Sequence, residues 1–409
     1  MHISSTISEK SQYYLELENK HSAHNYHPLP VVLNRGKGVF VWDVDGNRYY
    51  DFLSGYSAVN QGHCHPEIVR GFTEQASELT LTSRAFHSSL FGEYAKFITE
   101  YFGYDKVLPM NTGVEAVETA IKLCRRWGYE VKGIPENHAK IIVCSDNFHG
   151  RTTTVISFSS DPSAYSGFGP FMPGFISIPF NDLAALEYAL QDKSVAGFMF
   201  EPIQGEAGVV VPDEGYLSKV RQYCTDAKVL MIADEIQTGL CRTGRLLACD
   251  HENVRADILV LGKALSGGTM PVSAVLADNE VMETIHPGEH GSTYGGNPLA
   301  CKVAIIALSV LRDERMSENA NAMGELLRTE LGALNSKLIA EIRGKGLLNA
   351  IVINHPEKEA AWKICLAMKE NGLLAKPTHG DKIRLAPPLT ITTEQVKEAV
   401  GIIGRSLNV

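Results

Sequence analysis

Short apolar runs alternate with helical patterns from about residue 100 to residue 300. This rhythm predicts an α/β unit built on a mainly parallel, doubly wound sheet. The clearest predicted strands span residues 141–144, 195–200, 229–233 and 258–261. Apolar residues at helical spacing predict helices over residues 114–127, 214–227 and 298–312.

A different pattern precedes this unit. Residues 39–52 (VFVWDVDGNRYYDF) alternate apolar and polar side chains on both sides of Asp45-Gly46-Asn47. Alternation with a period of two around a short Asp-Gly-Asn segment is typical of a β-hairpin. The N-terminal part of the chain is therefore predicted to contribute an antiparallel pair of strands.

The pattern changes again after about residue 300, where a long helix is followed by strand-like stretches at 338–353 and 382–386. A last helix is predicted from about residue 393, and Thr392 and Gln395 have the spacing of its capping box. These elements predict a smaller α+β domain at the C-terminus. The predicted division of the chain is an N-terminal segment over residues 1–50, a large domain over 51–300 and a small domain over 301–409.

Composition and charge fit a globular protein of more than one domain. The chain has 409 residues, of which 44% are hydrophobic and 21% charged, and its formal net charge is -9. This balance argues against the basic surface of a nucleic-acid-binding protein and against a polybasic membrane patch. Since no window approaches 18 uninterrupted apolar residues, no transmembrane helix is predicted.

Cysteine usage and the first 20 residues suggest a compartment. The eight cysteines include no C-x-x-C pair, and most lie in apolar stretches, as buried thiols do in a reducing environment. The first 20 residues contain Glu9, Lys10, Glu16 and Glu18, without an apolar secretory core and without the Arg-rich pattern of a transit peptide. The sequence on these grounds predicts a cytoplasmic protein.

Polar residues follow each of the four clearest strands. Phe148 lies in the loop after the first, Glu201 follows the second, Asp234 and Gln237 follow the third, and Lys263 follows the fourth. Ligands of open α/β sheets bind at the carboxyl ends of the strands. The sequence therefore predicts one site that combines carboxylates, an amide, an aromatic ring and a lysine.

Lys263 is the candidate nucleophile of this site. It follows a buried-looking run and precedes small, flexible residues, a setting that suits Schiff-base chemistry when the amine is desolvated. The alternative is an ordinary surface lysine after a strand. The segment does not have the G-x-x-x-x-G-K-[ST] order of a nucleotide-binding phosphate loop.

Asp234 ends an apolar strand, so its carboxylate requires a partner. A protonated pyridine nitrogen, as in pyridoxal phosphate (PLP), is a suitable partner, because the carboxylate keeps the ring cationic and electron-withdrawing. A helix cap or an ordinary ion pair are the alternatives. A metal site is disfavoured, because His63-Cys64-His65 is too compact for zinc and no H-E-x-x-H motif occurs.

Two glycine-containing segments are candidates for phosphate binding. Asn111-Thr112-Gly113 introduces the predicted helix, and Gly113 allows backbone N–H groups to approach an anion closely. The second segment, residues 291–297, has two hydroxyl groups, Ser292 and Thr293. An ordinary helix cap and a plain turn remain the alternatives.

Taken together, these motifs resemble the class III, fold-type I PLP-dependent aminotransferases from about Asn25 to Pro388. The segments that carry the resemblance are HNYHPLP (24–30), YSAVNQGHCHP (56–66), LTSRAFH (81–87), MNTGVEA (110–116), FGPFMPGF (168–175), EPIQGEAGVVVP (201–212), ADEIQTGL (233–240), LGKALSGG (261–268), PGEHGSTYGGNP (287–298), RGKGLL (343–348) and NGLLAKPTHGD (371–381). The resemblance implies a large domain with a mainly parallel seven-stranded sheet and a smaller α+β C-terminal domain.

The resemblance also implies how the cofactor pyridoxal 5′-phosphate is held. The corresponding positions are Gly113 and Val114 at the phosphate, Phe148 on the ring face, Asp234 at the pyridinium, Gln237 at the phenolic oxygen, Lys263 as Schiff-base lysine and proton shuttle, and Ser292 and Thr293. In the family the position of Thr293 reaches the phosphate of the neighbouring subunit. An obligate homodimer with shared active sites is therefore implied.

Within the family the resemblance is greatest to members that act on ornithine. The positions that would select substrate are Tyr26 and Arg151 at the α-amino and α-carboxylate end, Tyr56, Glu201, and the pair Glu206 and Arg384. In that pair the glutamate shields the arginine from ornithine and then moves aside, so that the guanidinium can bind a carboxylate with both nitrogens.

The activity implied is transfer of the δ-amino group of L-ornithine to 2-oxoglutarate, giving glutamate-5-semialdehyde, which cyclises to pyrroline-5-carboxylate, and glutamate. N-acetylornithine or 4-aminobutyrate as amino donor, an aminomutase, and a catalytically inactive binding protein are the alternatives.

One position departs from familiar relatives, which often have tryptophan where this chain has His149. A histidine there either alters the electronics of the cofactor and the pH profile or fills space as a neutral ring.

Overall fold

The computed structural model describes residues 7–407, and its secondary structure follows the apolar patterns closely. The strands in chain order are β1 Leu33–Lys37, β2 Phe40–Asp43, β3 Arg48–Asp51, β4 Lys106–Met110, β5 Lys140–Cys144, β6 Phe175–Ile178, β7 Val195–Phe200, β8 Leu230–Asp234, β9 Ile258–Leu261, β10 Ser273–Ala277, β11 Ile339–Lys345, β12 Leu348–Ile353, β13 Leu373–Leu374, β14 Lys376–Thr378 and β15 Lys382–Leu385.

The helices are α1 Glu9–His21, α2 Ser54–Ser57, α3 Pro66–Glu78, α4 Ser89–Phe102, α5 Gly113–Glu130, α6 Thr153–Ile156, α7 Pro162–Tyr165, α8 Leu183–Ala189, α9 Tyr216–Ala227, α10 Asn279–Met282, α11 Pro298–Asp313, α12 Met316–Ala333, α13 Ala360–Glu370 and α14 Thr393–Ser406. Two short 3₁₀ helices, Ala248–Glu252 and Lys263–Ser266, follow β8 and β9. Within residues 7–407, none of these helices combines the length and the apolar character needed to cross a bilayer.

The central sheet has seven strands in the order β4-β10-β9-β8-β7-β5-β6. β10 runs antiparallel to both of its neighbours, and the remaining pairs are parallel. This confirms the mainly parallel seven-stranded sheet. The third predicted strand is displaced by one residue, so that Asp234 is the last residue of β8 rather than the first residue of the loop.

Both faces of this sheet are buried, which explains why its inner strands read as unbroken apolar runs. Alternate residues of β5 enter different cores, because successive side chains of a strand point to opposite faces. Ile141 and Val143 pack with Ile121 of α5, whereas Ile142 packs with Val220 of α9. The sheet is therefore a rigid layer whose carboxyl edge holds the loops that follow its strands.

The C-terminal part forms a four-stranded antiparallel sheet in the order β11-β12-β15-β14. The predicted stretch 338–353 is divided into β11 and β12 by a turn at Gly346, whose φ of 51° lies in the left-handed region that favours glycine. The capping box of α14 is confirmed, since Thr392 and Gln395 exchange both hydrogen bonds.

A third sheet, in the order β1-β2-β3-β13, joins an N-terminal segment to a C-terminal one. β2 and β3 form the predicted hairpin, and β13 adds to β3 in parallel, with Leu373 opposite Tyr50. Periodicity alone does not reveal strand partners that are more than 300 residues apart, so this pairing was not predicted. The division into residues 1–50, 51–300 and 301–409 stays a prediction.

Candidate active site at the carboxyl edge of the central sheet

The loops after the central strands meet around a cavity of about 180 Å³. Its wall is formed by Gly113, Val114, Phe148, His149, Gly150, Glu201, Asp234, Ile236, Gln237 and Lys263. Every residue that the strand-end pattern singled out therefore lies at one cavity. The reason is the parallel arrangement of β5, β7, β8 and β9, which brings their carboxyl ends to the same edge.

Asp234 is 4% exposed and contacts His149 directly. His149 Nδ1 lies 2.6 Å from Asp234 Oδ2, and the backbone N–H of Ile236 donates to Asp234 Oδ1 at 3.1 Å. Burial lowers the pKa of His149, but the hydrogen bond to Asp234 and the charges of Asp234 and Glu201 outweigh it, so that the pKa is raised. His149 thus does more than fill space as a neutral ring, because it makes a hydrogen bond to the Asp234 carboxylate and its pKa is raised by it.

Glu201 is the second buried carboxylate of the cavity. It accepts backbone N–H groups of Phe148 at 2.9 Å and of Gly205 at 3.3 Å, which ties the loop after β5 to the loop after β7. Burial raises the pKa of Glu201 to about 7, and the charge of Asp234 adds to that rise. The wall of the cavity therefore changes its charge near neutral pH.

Lys263 begins the 3₁₀ helix after β9 with a φ of 44°, an uncommon conformation for a lysine. Such local strain is often found at functional residues. Burial lowers the pKa of the Lys263 amine, although the charges of Glu206 and Asp234 oppose the shift. A larger fraction of the amine is thus available as a nucleophile and a base than in a solvated lysine.

The N-terminus of α5 points at the same cavity. Thr112 caps the helix and forms a capping box with Glu115, which leaves the N–H groups of Gly113 and Val114 in the first turn without intrahelical partners. A Cβ atom on Gly113 would lie 3.1 Å from the side chain of Ile236, so a larger residue would crowd this approach. The arrangement suits an anion such as a phosphate.

The loop that carries Ser292 and Thr293 lies beside this helix start. The side-chain amide of Asn111 donates to Ser292 Oγ at 2.8 Å, whereas Thr293 is exposed. A further cavity of about 340 Å³, lined by Thr112, Gly113 and Lys263 among others, opens on this side. The structure thus brings Ser292 to the helix start of its own chain and leaves the Thr293 hydroxyl on the surface.

An outer cleft of about 590 Å³ adjoins the inner cavity at Phe148 and His149. Its wall includes the predicted substrate residues Tyr26, Tyr56, Arg151, Glu206 and Arg384, and also Lys376. Tyr26 and Arg151 are exposed at its rim, while Arg384 is 4% exposed at its base. Glu201 lies in the inner cavity instead of this cleft.

Glu206 and Arg384 form an ion pair at the base of the cleft. Glu206 Oε1 accepts from Arg384 Nη1 at 2.5 Å and from Gln237 Nε2 at 3.2 Å. Burial opposes ionisation of Glu206, but the charges of Arg384 and Lys263 outweigh it and lower its pKa. The carboxylate therefore stays ionised and covers a guanidinium that would otherwise face the cleft.

Tyr56 is presented by an unusual turn. All four residues of α2 have positive φ angles between 50° and 69°, so α2 is a single left-handed turn. Such a conformation costs about 1–2 kcal/mol for each residue other than glycine. Asp51 holds the turn by accepting the N–H groups of Leu53 and Ser54. It places the Tyr56 ring under Arg384, whose guanidinium carbon lies 5.0 Å from the ring centroid.

Two features of the site were missed by sequence reasoning. The contact of His149 with Asp234 spans 85 residues, and Lys376 enters the cleft only because β14 pairs with β15. Lys376 lies in the segment 371–381 that carries the family resemblance, whereas His149 is the position that departs from it. The contact of His149 depends on the path of the loop after β5, and that of Lys376 on the pairing of two strands, neither of which a single sequence contains.

Comparisons with known proteins agree with the geometry. Residues 21–407 match the family model described as aminotransferase class-III. The mitochondrial ornithine aminotransferase of Rattus norvegicus is 63% identical over 397 residues, which cover 97% of this chain and 90% of the rat protein.

Two solved structures are similar over nearly the whole chain. The ornithine aminotransferase of Toxoplasma gondii ME49 is 48% identical with a TM-score of 0.95, covering 98% of this chain and 95% of that one. An acetylornithine aminotransferase from Elizabethkingia anophelis is 59% identical with a TM-score of 0.90, covering 97% of this chain and 98% of that one.

The predicted cytoplasmic location is wrong by this comparison. Curated relatives from rat, two Drosophila species and Caenorhabditis elegans are named mitochondrial, although the Schizosaccharomyces pombe relative is not. The inference failed because composition and buried thiols describe a folded surface and core, whereas targeting depends on separable segments that are read by receptors.

Proposed function

The chain belongs to the class-III aminotransferase family, and on that premise we propose that it transfers the δ-amino group of L-ornithine to 2-oxoglutarate with pyridoxal 5′-phosphate as cofactor. The products are glutamate-5-semialdehyde, which cyclises to pyrroline-5-carboxylate, and glutamate. The observation that carries this proposal is the Glu206–Arg384 pair at the base of the cleft. It lets one site accept a diamino acid and then a dicarboxylate.

The inner cavity fits the cofactor chemically. Gln237 Oε1 is buried at the wall and has no hydrogen-bond partner among residues 7–407, so a polar group of a ligand would satisfy it. Asp234 would hold a proton on the pyridine nitrogen, Phe148 would cover the ring, and the first turn of α5 would bind the phosphate. When bound, the cofactor supplies an electron sink for the carbon that loses its proton.

Lys263 is the residue that bonds to the cofactor and moves the proton of the substrate. Once the amine of ornithine has replaced it on the cofactor, the free Lys263 amine, whose pKa burial lowers, would take the proton from the δ-carbon of ornithine and hold it as an ammonium until it is given back to the bound cofactor. Asp234 is 4% exposed, so its carboxylate is shielded from bulk water. His149 keeps Asp234 oriented, so that the carboxylate stays an acceptor during both halves of the reaction.

The substrate cleft distinguishes the two ends of ornithine. Arg151 at the rim offers a cation for the α-carboxylate, and Tyr26 beside it a phenol for the α-amino group. Glu206 neutralises Arg384, so that the δ-ammonium end can approach Lys263 without meeting a bare guanidinium. The Tyr56 ring under Arg384 narrows the cleft between its rim, where the α-carboxylate would bind, and Lys263, where the δ-amine would react.

A homodimer with shared active sites is part of the proposal. The loop that holds Ser292 is anchored beside Asn111, and this leaves the neighbouring Thr293 directed at solvent in a single chain. A second copy would bring its own Thr293 hydroxyl to the phosphate side, where the 340 Å³ cavity is open. The exposed Thr293 and the open cavity support the dimer expected from the family resemblance.

Glu206→Gln is expected to change the selectivity between the two substrates. Glutamine fills similar space but does not neutralise Arg384, so 2-oxoglutarate should bind more tightly and ornithine about tenfold more weakly. The Michaelis constants of the separate half-reactions measure this. Glu214→Gln, at an exposed position outside the cleft, is the matched control. Equal changes in the Michaelis constants for both substrates would argue that the Glu206–Arg384 pair does not determine selectivity.

The function itself is tested by incubating the purified holoenzyme with ornithine and 2-oxoglutarate and trapping pyrroline-5-carboxylate. N-acetylornithine and 4-aminobutyrate serve as competing amino donors. Ornithine should have the highest kcat/KM, because acetylation removes the charge of the α-amino group and 4-aminobutyrate lacks the group altogether. The similarity to a protein named acetylornithine aminotransferase makes that donor the relevant rival. Faster turnover of N-acetylornithine would reject the proposal.

A further inference from the structure

Two cations lie directly opposite each other beside the cleft. In the antiparallel pair of β14 and β15, Lys376 is the register partner of Arg384. Opposed residues of an antiparallel pair share one face, and like charges at such positions destabilise the pairing. Lys376 and Arg384 both line the outer cleft, so the unfavourable arrangement lies where substrate binds.

Only one of the two cations has a carboxylate partner in the described chain. Glu206 pairs with Arg384, whereas among residues 7–407 no carboxylate forms an ion pair with Lys376. The Lys376 amine instead lies 5.7 Å from the ring centroid of Tyr26. Burial lowers its pKa, the charge of Arg384 lowers it further, and the charge of Glu206 raises it. Lys376 is thus a half-buried cation within electrostatic range of Glu206.

The exchange of substrates creates a need for such a cation. When a dicarboxylate takes the Arg384 guanidinium, the Glu206 carboxylate has to leave it. The side chains of Gln237 and Thr378 hold Glu206 in the cleft, since Gln237 Nε2 donates to its carboxylate at 3.2 Å and Thr378 Oγ1 to its backbone oxygen at 2.8 Å. A displaced carboxylate that stays in this cleft costs free energy unless a charge or hydrogen-bond donor receives it.

We propose that Lys376 receives the carboxylate of Glu206 when a dicarboxylate displaces it from Arg384. The inference rests on the proposed function, because it explains how the second substrate is admitted. Lys376 is a positioning residue here, because in the dicarboxylate-bound cleft it would bind the carboxylate of Glu206 and not the substrate. The two cations share one carboxylate, which moves from the guanidinium to the amine as the cleft changes from the diamino acid to the dicarboxylate.

The test measures how glutarate, an unreactive dicarboxylate, binds to the holoenzyme by calorimetry. Lys376→Met should raise both the Kd of glutarate and the Michaelis constant for the oxo acid about tenfold, with a much smaller effect on the Michaelis constant for ornithine. In the Glu206→Gln background the same substitution should have almost no effect on glutarate, since no carboxylate needs a new partner. Lys376→Arg should restore binding.

The matched control is Lys382→Met, which removes a lysine from the adjacent strand that pairs with Asp381 outside the cleft. It should leave the Kd of glutarate unchanged, and the thermal unfolding of each variant shows whether it folds. An unchanged Kd in Lys376→Met overturns the inference. So does a loss of the same size in the Glu206→Gln background, which would mean that Lys376 contacts the dicarboxylate itself. Failure of the proposed function would instead show in the unmodified protein, as absence of ornithine turnover.

Discussion

Lys263→Ala is expected to abolish turnover of ornithine. The substitution removes the only amine that lines the inner cavity within residues 7–407, and with it both the covalent attachment of the cofactor and the group that moves the substrate proton. Loss of a positioned general base alone costs up to about 10⁴-fold in rate. The combined loss should bring kcat below detection. The assay is ornithine-dependent formation of pyrroline-5-carboxylate.

A second readout separates a chemical role from a structural one. The visible absorbance that arises from the bond between Lys263 and the cofactor should vanish, while the phosphate site at α5 still retains the cofactor without that bond. Lys219→Ala, at an exposed position of α9, is the matched control and should keep both rate and spectrum. Full activity in Lys263→Ala would reject the assignment of this residue and with it the proposed chemistry.

Asp234→Asn is expected to lower kcat by about 10³-fold, the size of effect seen when one electrostatic group is removed from a reaction centre. Asparagine preserves the shape of the side chain but not its charge, so the ring nitrogen of the cofactor would lose the carboxylate that keeps it protonated. The same substitution should also lower the pKa of His149. Its raised pKa depends on the carboxylate, and with the carboxylate gone, burial would lower it below its ordinary value.

The titration of His149, followed by nuclear magnetic resonance of its ring in each protein, is independent of turnover. Whether the pKa of His149 falls or stays unchanged in Asp234→Asn shows whether the two side chains are coupled. A fall in the pKa of His149 together with the loss of rate fits one coupled pair, whereas a large loss of rate with an unchanged pKa would contradict the contact at 2.6 Å. Asp226→Asn, on the exposed face of α9, should change neither.

Much of the site could be predicted because strand ends in parallel sheets converge. Once the runs ending at Phe200 and Ala233 are recognised as neighbouring strands, Glu201 and Asp234 lie at the same edge. The same reasoning places Lys263, since β9 pairs with β8. No knowledge of side-chain conformation is needed for this step, because the direction of the strands is enough.

The contacts that change the charge of the site could not be predicted from the direction of the strands. The His149–Asp234 hydrogen bond depends on the path of a loop, and the opposition of Lys376 and Arg384 depends on the register of two strands. A shift of one residue in that register would turn one of these side chains to the other face. The left-handed turn that carries Tyr56 is held by Asp51 and by a hydrogen bond to Ala386 across 332 residues.

The sequence by itself determined the class of fold, the edge of the sheet that carries the site, and the types of groups collected there. These features follow from local periodicity and from the fixed direction of parallel strands. The tertiary structure alone decided the contact of Asp234 with His149 and the position of Lys376 opposite Arg384. Those pairings depend on distances of a few ångströms between segments far apart in the chain, and such distances are set by packing and register rather than by any local pattern.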